Sequence, residues 1–557
     1  MHRNINNILF DAIHAYSNLE CRVPVLMHRS RGDGKIRDSL CTPTSVNVPV
    51  SLDPNFPYRC YCRSPTMLSP SPYSIDGFGR LADTSIGNHH LLSILGVALL
   101  IAFALFFERS NSLAHIPVYT TLPWPLSRFQ FFYDAQKVLY GGYWKHKGGV
   151  FRVLRWSGWV IIVTGRQLVE ELHRVPEGVL SVWESAKDEI QTLHTFGEQI
   201  HSRPYQVTLV KSMCARHRDQ LVRDLLDEAI PAFEEIIGIQ CQGCSDWVEF
   251  DIKSISRVVT RTFNRIWVGP ELCRDESYNQ LGTDFTMGVC LVGIIVNLFP
   301  AVLRGIVGRA ITQLPQYQKK GAQFLEPLIK ERKARRGHGD GQDGPTDYLS
   351  FLVEGAPQDE LDTQNLVTRV LAITTTTTHT TTFALTHTLL ELADRTSYVE
   401  PLRQEAAKAV DAHGWTRKGV ESMPLVDSFI KESMRTHAVG CMSFPLKVIK
   451  PFTLSDGTYI PKDSLVATSV AAHFDDEFYE NPHTFDGFRQ WTVADECVIP
   501  DLWAWKIYLP GRHIVACVLK ALMAHIVLNY DIKLGGDGEV KPDTWFIYYR
   551  LPNKNAT

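Results

Sequence analysis

The chain has 557 residues, 45% of them hydrophobic and 21% charged, a globular composition with ample material for a large core. Lys and Arg number 57 against 60 Asp and Glu and are scattered, so the net charge of -3 gives no electrostatic reason to expect a nucleic-acid partner. The 12 cysteines show neither paired short spacings nor a zinc-type cluster, so they read as reduced thiols of a cytosol-facing protein.

Residues 1–88 are rich in Ser, Pro, Arg and Asn and have no sustained periodicity. They are expected to be disordered, or an upstream extension of the gene, and not a domain. The next segment changes the class. "LLSILGVALLIAFALFF", residues 91–107, is 17 residues without a charge, long enough to cross most of a bilayer core as a helix. Glu108 and Arg109 end it, and Pro117, Pro123 and Pro125 stop the helix from continuing. A transmembrane anchor over 89–109 and a proline-rich hinge over 110–126 are therefore expected. The stretch lies too far in, and lacks a small-residue cleavage site, for a secretory signal peptide.

From residue 127 onward helical patterns dominate. "DQLVRDLLDEAIPAFEEIIG" and "YVEPLRQEAAKAVDAHG" carry apolar residues at three- and four-residue spacing. Strands are expected at "WVIIVTG" and "WVEFDI", and "FTLSDGTYIPKDSLVAT" reads as a hairpin turning on Ser-Asp-Gly. "FTMGVCLVGIIVNLFPAVL", residues 285–303, is a second apolar run. Asn297 and Pro300 argue against a second span and for a buried helix or a surface dipping into the membrane. The charged, glycine-rich stretch 331–347 reads as a loop. The expected fold class is mainly α with a minor β-sheet, in one large domain over 127–557.

Three features carry chemistry. "LAITTTTTHTTTFALTHTLLELA", residues 371–393, puts indifferent helix formers on a helical stripe. Its hydroxyls must bond back to carbonyls one turn earlier, and such a helix can open locally into a groove. "SFIKESMRTH" places Glu432 and Arg435 three apart, on one helix face, and "NPHTFDGFRQW" offers Arg489 as a third member of the network. "PGRHIVACVLKALMAHIVLNYDIKL" is a Pro-Gly-Arg loop entering an apolar helix.

In this order and spacing the features resemble one family, the cytochromes P450, which are haem-thiolate monooxygenases. The likeness runs from about Pro123 to the C-terminus, and phrases such as "LSDGTYIPK" and "LKALMAHIVLNYDIKL" look most like its membrane-bound fungal members. The resemblance implies one large domain behind an N-terminal membrane helix, single-pass in the endoplasmic reticulum with the catalytic part cytosolic. It implies haem b, electrons from NADPH through a cytochrome P450 reductase, membrane lipid, and a hydrophobic small-molecule substrate of fungal secondary metabolism, terpenoid for example. His379 takes the place of the family's acid and Thr380 that of its alcohol, the pair that delivers protons; imidazole can do so near neutral pH. Glu432, Arg435 and Arg489 match the bracing network, and Pro510, Gly511 and Arg512 match the end of the haem loop.

The loop itself departs from the pattern Phe-x-x-Gly-x-x-x-Cys-x-Gly. Leu509 stands where the thiolate ligand belongs, Trp503 and Trp505 stand near the glycines, and Cys517 and Cys497 lie too far off without a rebuilt loop. Taken at face value, Leu509 gives an alternative: a haem-free pseudoenzyme of the same fold, serving as a scaffold or a non-redox cyclase. The genetic code gives a different one. Tryptophan has a single codon, so a one-base slide forces glycine at Trp503 and Trp505 and permits cysteine at Leu509.

Overall fold

A computed structural model describes residues 22–29, 96, 113–123, 126–176, 178–241, 247–336, 347–492, 511–535, 544–546 and 549–551. The anchor expected at 89–109 lies outside the described residues except for Gly96, as do Cys497, Trp503, Trp505, Leu509 and Pro510. Of two units, Met1–Ser30 together with Glu108–Thr557 is the one whose architecture follows.

Long helices dominate it, as the periodicity predicts. In chain order the main ones are α1 (Ser127–Lys145), α2 (Arg218–Ile236), α3 (Ile252–Trp267), α4 (Glu276–Asn297), α5 (Ala301–Ile311), α6 (Leu314–Arg335) and α7 (Thr363–Asp394). After them come α8 (Val399–His413), α9 (Pro424–Thr436), the short α10 (Arg489–Thr492) and α11 (Arg512–Asn529). On α2 the predicted stripe is the buried one: Leu221, Leu225, Ala229 and Phe233 enter the main core. The loop expected over 331–347 begins later than its composition suggests, since α6 continues to Arg335.

The strands are β1 (Arg22–Arg29), β2 (Val150–Arg155), β3 (Gly158–Val163), β4 (Leu180–Ser181), β5 (Val248–Asp251), β6 (Leu446–Val448), β7 (Phe452–Thr453), β8 (Tyr459–Ile460), β9 (Leu465–Thr468) and β10 (Tyr530–Leu534). A five-stranded sheet runs β2-β3-β9-β6-β4, with β3 and β9 parallel. The expected hairpin forms as β7 and β8, turning through Gly457 at φ 85°, a left-handed value that favours glycine. The hinge docks on β2: Arg152 N–H donates to Pro117 O at 2.8 Å and Tyr119 N–H to Arg152 O at 3.0 Å.

Among the described residues two apolar helices, α4 and α11, are long enough to cross a membrane by composition, yet more than half of the apolar window of each is inside the protein. α4 is held at its end by Asn297, whose amide donates to Asp188 O at 3.1 Å and Glu189 O at 2.9 Å. The buried-helix expectation for residues 285–303 therefore holds over α4, and beyond Asn297 the run turns outward into α5.

One expectation fails in part. Residues 22–29, within the stretch 1–88 read as unstructured, form the middle strand of a three-stranded sheet, β10-β1-β5, antiparallel on both sides. Val25 and Met27, two apart, are fully buried there. A strand of eight residues is too short to raise the periodicity of 88, and its ladder partners lie far away in sequence. Removing residues 1–30 is expected to forfeit about 1.5–3 kcal/mol for each of those two side chains and to expose two strand edges. The truncated chain should melt several degrees lower; an equal melting temperature would show that β1 contributes nothing.

Candidate active site

The site is built on α7. Asp362 caps it, accepting the Asn365 N–H at 3.1 Å. Fully buried Arg369 fixes its first turns by pairing with Glu360 at 2.7 Å, donating to Gln206 Oε1, and lying 3.9 Å from the Tyr205 ring centroid. The threonine hydroxyls bond back as the sequence requires: Thr374, Thr375, Thr382, Thr386 and Thr388 each donate to the carbonyl four residues earlier at 2.6–3.2 Å. The helix runs unbroken through all of them, so the local opening allowed for in this run is not formed.

An open surface is present instead. Thr376 is exposed, and Ile373, His379, Thr380 and Phe383, partly buried, share its third of the helix circumference. Thr374, Thr377, Thr378 and Thr381 on the opposite side are buried. α4 crosses beside this surface, where Thr286 Oγ1 donates to Thr375 Oγ1 at 3.3 Å and Gly282 leaves Thr374 room to approach. One turn further along α4, Cys290 keeps exposed area, while the packing around it pushes its thiol pKa up to about 11.

His379 and Thr380 both lie on this open face of α7. Among the described residues the Thr380 hydroxyl makes one bond, to Thr376 O at 3.4 Å, long enough to leave it available to a ligand. His379 keeps some exposed area, but its Nε2 is enclosed without a partner, and the ring lies against Phe383. Burial lowers its pKa to about 4. Near neutral pH the imidazole is therefore held in its neutral form.

Behind α7 the network expected of Glu432, Arg435 and Arg489 is complete. Arg435 Nε and Nη2 each donate to a Glu432 oxygen at 2.8 Å, a bidentate pair with no exposed area. Arg489 Nε reaches the same carboxylate at 3.2 Å, and its Nη2 donates to Thr484 O at 2.7 Å. Arg435 Nη1 also donates to His473 O at 2.6 Å and Pro482 O at 2.8 Å. The His473 ring returns a bond to Arg435 O at 2.9 Å, and burial lowers its pKa to about 4.

A second tie escapes sequence reasoning. His437, just past α9, bonds Glu391 on α7 at 2.5 Å and stacks on His387 with centroids 4.6 Å apart. Glu391 also pairs with Arg395. The i,i+4 spacing of His387 and Glu391 was a readable signal, but only tertiary structure brings His437 to them.

The proximal side fits the implied haem less well. Gly511 caps α11, its carbonyl accepting the Ile514 and Val515 N–H groups at 3.0 Å, and Arg512 opens the helix. Leucine, at the ligand position 509, offers iron no donor. Cys517 packs among Val222, Leu226, Val420 and Ala521, and burial raises its thiol pKa, so it is a core residue and not a thiolate ligand. The described residues thus supply the Glu432, Arg435 and Arg489 brace, and Cys517 is not placed as a thiolate.

Arg435→Met strands a buried carboxylate beside Arg489 alone and should cost about 3–5 kcal/mol by urea unfolding; adding Glu432→Met should recover part of it. Equal stability of both variants and the parent would contradict the network. Because His379 and His473 have pKa values lowered from 6.5 to about 4, their contribution is whole above pH 6.5 and is lost as pH falls toward 4. His379→Phe should flatten that decline in a series of urea midpoints.

Comparison with known proteins follows the same lines. The family model described as Cytochrome P450 matches residues 251–495. Cytochrome P450 monooxygenase 71 of Postia placenta is 32% identical over 483 residues, 83% of this chain and 95% of that protein. Cytochrome P450 monooxygenase CYP512U6 of Ganoderma lucidum is 29% identical over 445 residues, 77% of this chain and 87% of that protein. Among solved structures, retinoic acid bound cyanobacterial CYP120A1 matches with a TM-score of 0.56 and 17% identity, over 79% of this chain and 97% of that one, a likeness of fold alone. By fold, by the site's brace and by these relatives, the chain belongs to the cytochrome P450 family, of fungal type, and is a P450-type monooxygenase.

Proposed function

We propose that the protein oxidises a hydrophobic small molecule of fungal secondary metabolism, a terpenoid for example, in a haem-dependent reaction. The observation that carries this reading is the open surface of α7, with Thr380 and His379 on it, in front of the intact Glu432, Arg435 and Arg489 brace. Haem b, when bound, supplies the oxygen chemistry, and NADPH through a cytochrome P450 reductase supplies electrons. The chain's own part is to seat an apolar substrate against Ile373 and Phe383, limit water, and hold a mobile proton at Thr380 Oγ1. Leu509 supports the second reading, a haem-free scaffold or cyclase, for the chain as written.

Membrane attachment to the cytosolic face of the endoplasmic reticulum fits an apolar surface among the described residues. Leu126, Phe129, Phe299, Val302 and Ile306 are exposed, and Trp156 joins the two groups, meeting Phe129 at 5.2 Å and donating to Leu298 O. The single-pass arrangement implied by the family is harder to keep. One crossing at 91–107 would put residues 22–29 on the luminal side, where β1 could not pair with β10 and β5. We favour a same-side N-terminus on that ground.

Two measurements test these readings. Reconstituted with reductase and NADPH, haem-loaded protein should oxidise members of an apolar compound panel, and Thr380→Ala should lower product per NADPH about a hundredfold. Unchanged yield would remove Thr380 from proton delivery, and an absence of any oxidised product would favour the haem-free reading. In intact microsomes an epitope ahead of Arg22 should be open to added protease; its protection would restore the single-pass anchor and remove β1 from the sheet.

A further inference from the structure

We propose that the gap between β5 and β10 is a strand-binding site, and that residues 22–29 of the same chain are its ligand. The body of the protein recognises this segment by its side chains and exchanges it for a free peptide of the same sequence. Nothing in this assignment depends on the oxidation chemistry of α7.

A strand commonly owes its place to a turn that leads into a neighbour. β1 has no such turn. Its neighbours are Val248–Asp251 and Tyr530–Leu534, and the chain beyond Ser30 passes into a separate unit, Arg31–Phe107, before it returns at Glu108. Recognition, not connectivity, therefore puts β1 between them. It is antiparallel to both, with Val25 to Arg29 in unbroken register against Leu534 to Tyr530. Against β5 the register slips between Arg22 and Leu26, where Pro24 has no N–H to give a ladder, and it resumes at Glu249 and Val248. Main chain supplies the affinity in such an arrangement, and side chains supply the choice of partner.

The side chains from Val25 to Arg29 each meet a distinct feature of the body. Val25 and Met27 enter the main core without exposed area, and Met27 O accepts a weak bond from Cys241 Sγ at 3.9 Å. Leu26 packs where Gly535 has no side chain; a Cβ there would come within 3.3 Å of Leu26 Cγ. His28 lies against the Trp247 ring with centroids 5.8 Å apart, and Lys533 Nζ lies 4.2 Å from the centroid of the same ring. Arg29 reaches Glu234 at 3.6 Å, a carboxylate already oriented by the Tyr530 hydroxyl at 2.7 Å and His525 Nε2 at 2.8 Å. Charge runs the same way. The strand brings Arg22 and Arg29, and Asp251, Glu249 and Asp531 stand opposite it in the two ladders. The ligand class is thus an extended basic peptide of the pattern apolar-x-apolar-x-Arg.

Occupancy of the slot reaches α7. β1 and β10 both pack on that helix, and Val25 and Met27 share one core with its Leu385 and Leu389. A filled slot buttresses the helix that carries the candidate active site.

The test uses the full chain, with a protease recognition sequence inserted between Lys35 and Ile36 and cut after purification in detergent. In detergent no bilayer separates strand from slot, so the outcome is independent of the microsome experiment. The N-terminal fragment should stay with the body through gel filtration, and a labelled peptide of residues 22–30 should replace it. Val25→Asp with Met27→Asp in the peptide should abolish the replacement. Arg29→Ala should weaken it about two- to fivefold, as for a partly exposed ion pair. A fragment that separates as soon as the chain is cut overturns the proposal. So does one that stays but is never replaced by excess peptide, since β1 would then be an inseparable part of the fold. A second arm fixes the donor. His28 and Asp531 are opposed in the ladder, so a His28→Cys, Asp531→Cys double variant should close a disulfide within one chain under mild oxidation. The two single variants, co-expressed, should stay monomeric. A disulfide-linked dimer between them, absent from the parent, would assign the strand to a second copy and overturn the same-chain reading.

Discussion

Glu432 is a carboxylate with no exposed area, and three elements of the fold meet on its two oxygens. Arg435 comes from the same helix, Arg489 from the short helix α10, and the Asp486 N–H from the loop between them, at 3.0 Å. A buried charge is tolerable only when its partners are all in place, so the carboxylate works as a geometric condition. The segment 473–489 must wrap α9 in one way, with the carbonyls of His473, Pro482 and Thr484 turned inward to the two guanidinium groups. That wrap seats α10 beside α9, where the Gln490 N–H donates to Ser428 Oγ at 3.0 Å. On the other side of α9 the His437 and Glu391 tie holds α7 against it, so the brace and the cover of the pocket are one connected body.

How much of this was legible follows from the range of each signal. The Glu-x-x-Arg pair is local and was readable; Arg489 became readable because aromatic residues mark its loop. Helices with strong stripes, such as α2 and α8, and the β7–β8 turn at Ser-Asp-Gly also reveal themselves locally. β1 did not, since its alternation is brief and its stability comes from β5 and β10, which lie hundreds of residues away. His437 failed for the same reason. The threonine run was half-readable: local chemistry announced the back-bonds, but only packing against α3 and α4 decides that the helix stays closed and which threonines face the open side.

The protonation of His379 shows a different limit. Its place in the family pattern suggests acid chemistry, whereas burial sets its charge, and burial is a property of the neighbours. A neutral imidazole with an enclosed, unsatisfied Nε2 is a polar group waiting for a partner. Along a helix whose threonine hydroxyls mostly donate to carbonyls one turn earlier, His379 Nε2 and buried Thr381 Oγ1 stand out as polar capacity left unspent.

The strand at Arg22–Arg29 has a consequence for biosynthesis. Its partner Tyr530–Leu534 leaves the ribosome about 500 residues later, a delay of roughly 25–100 s at ordinary elongation rates of about 5–20 residues per second. Until Tyr530–Leu534 is made, β1 can pair only with β5 at Val248–Asp251, and its other edge stays open to wrong partners or to chaperones. The three-stranded sheet closes only once Tyr530–Leu534 has been made, so its assembly comes late in synthesis or after it.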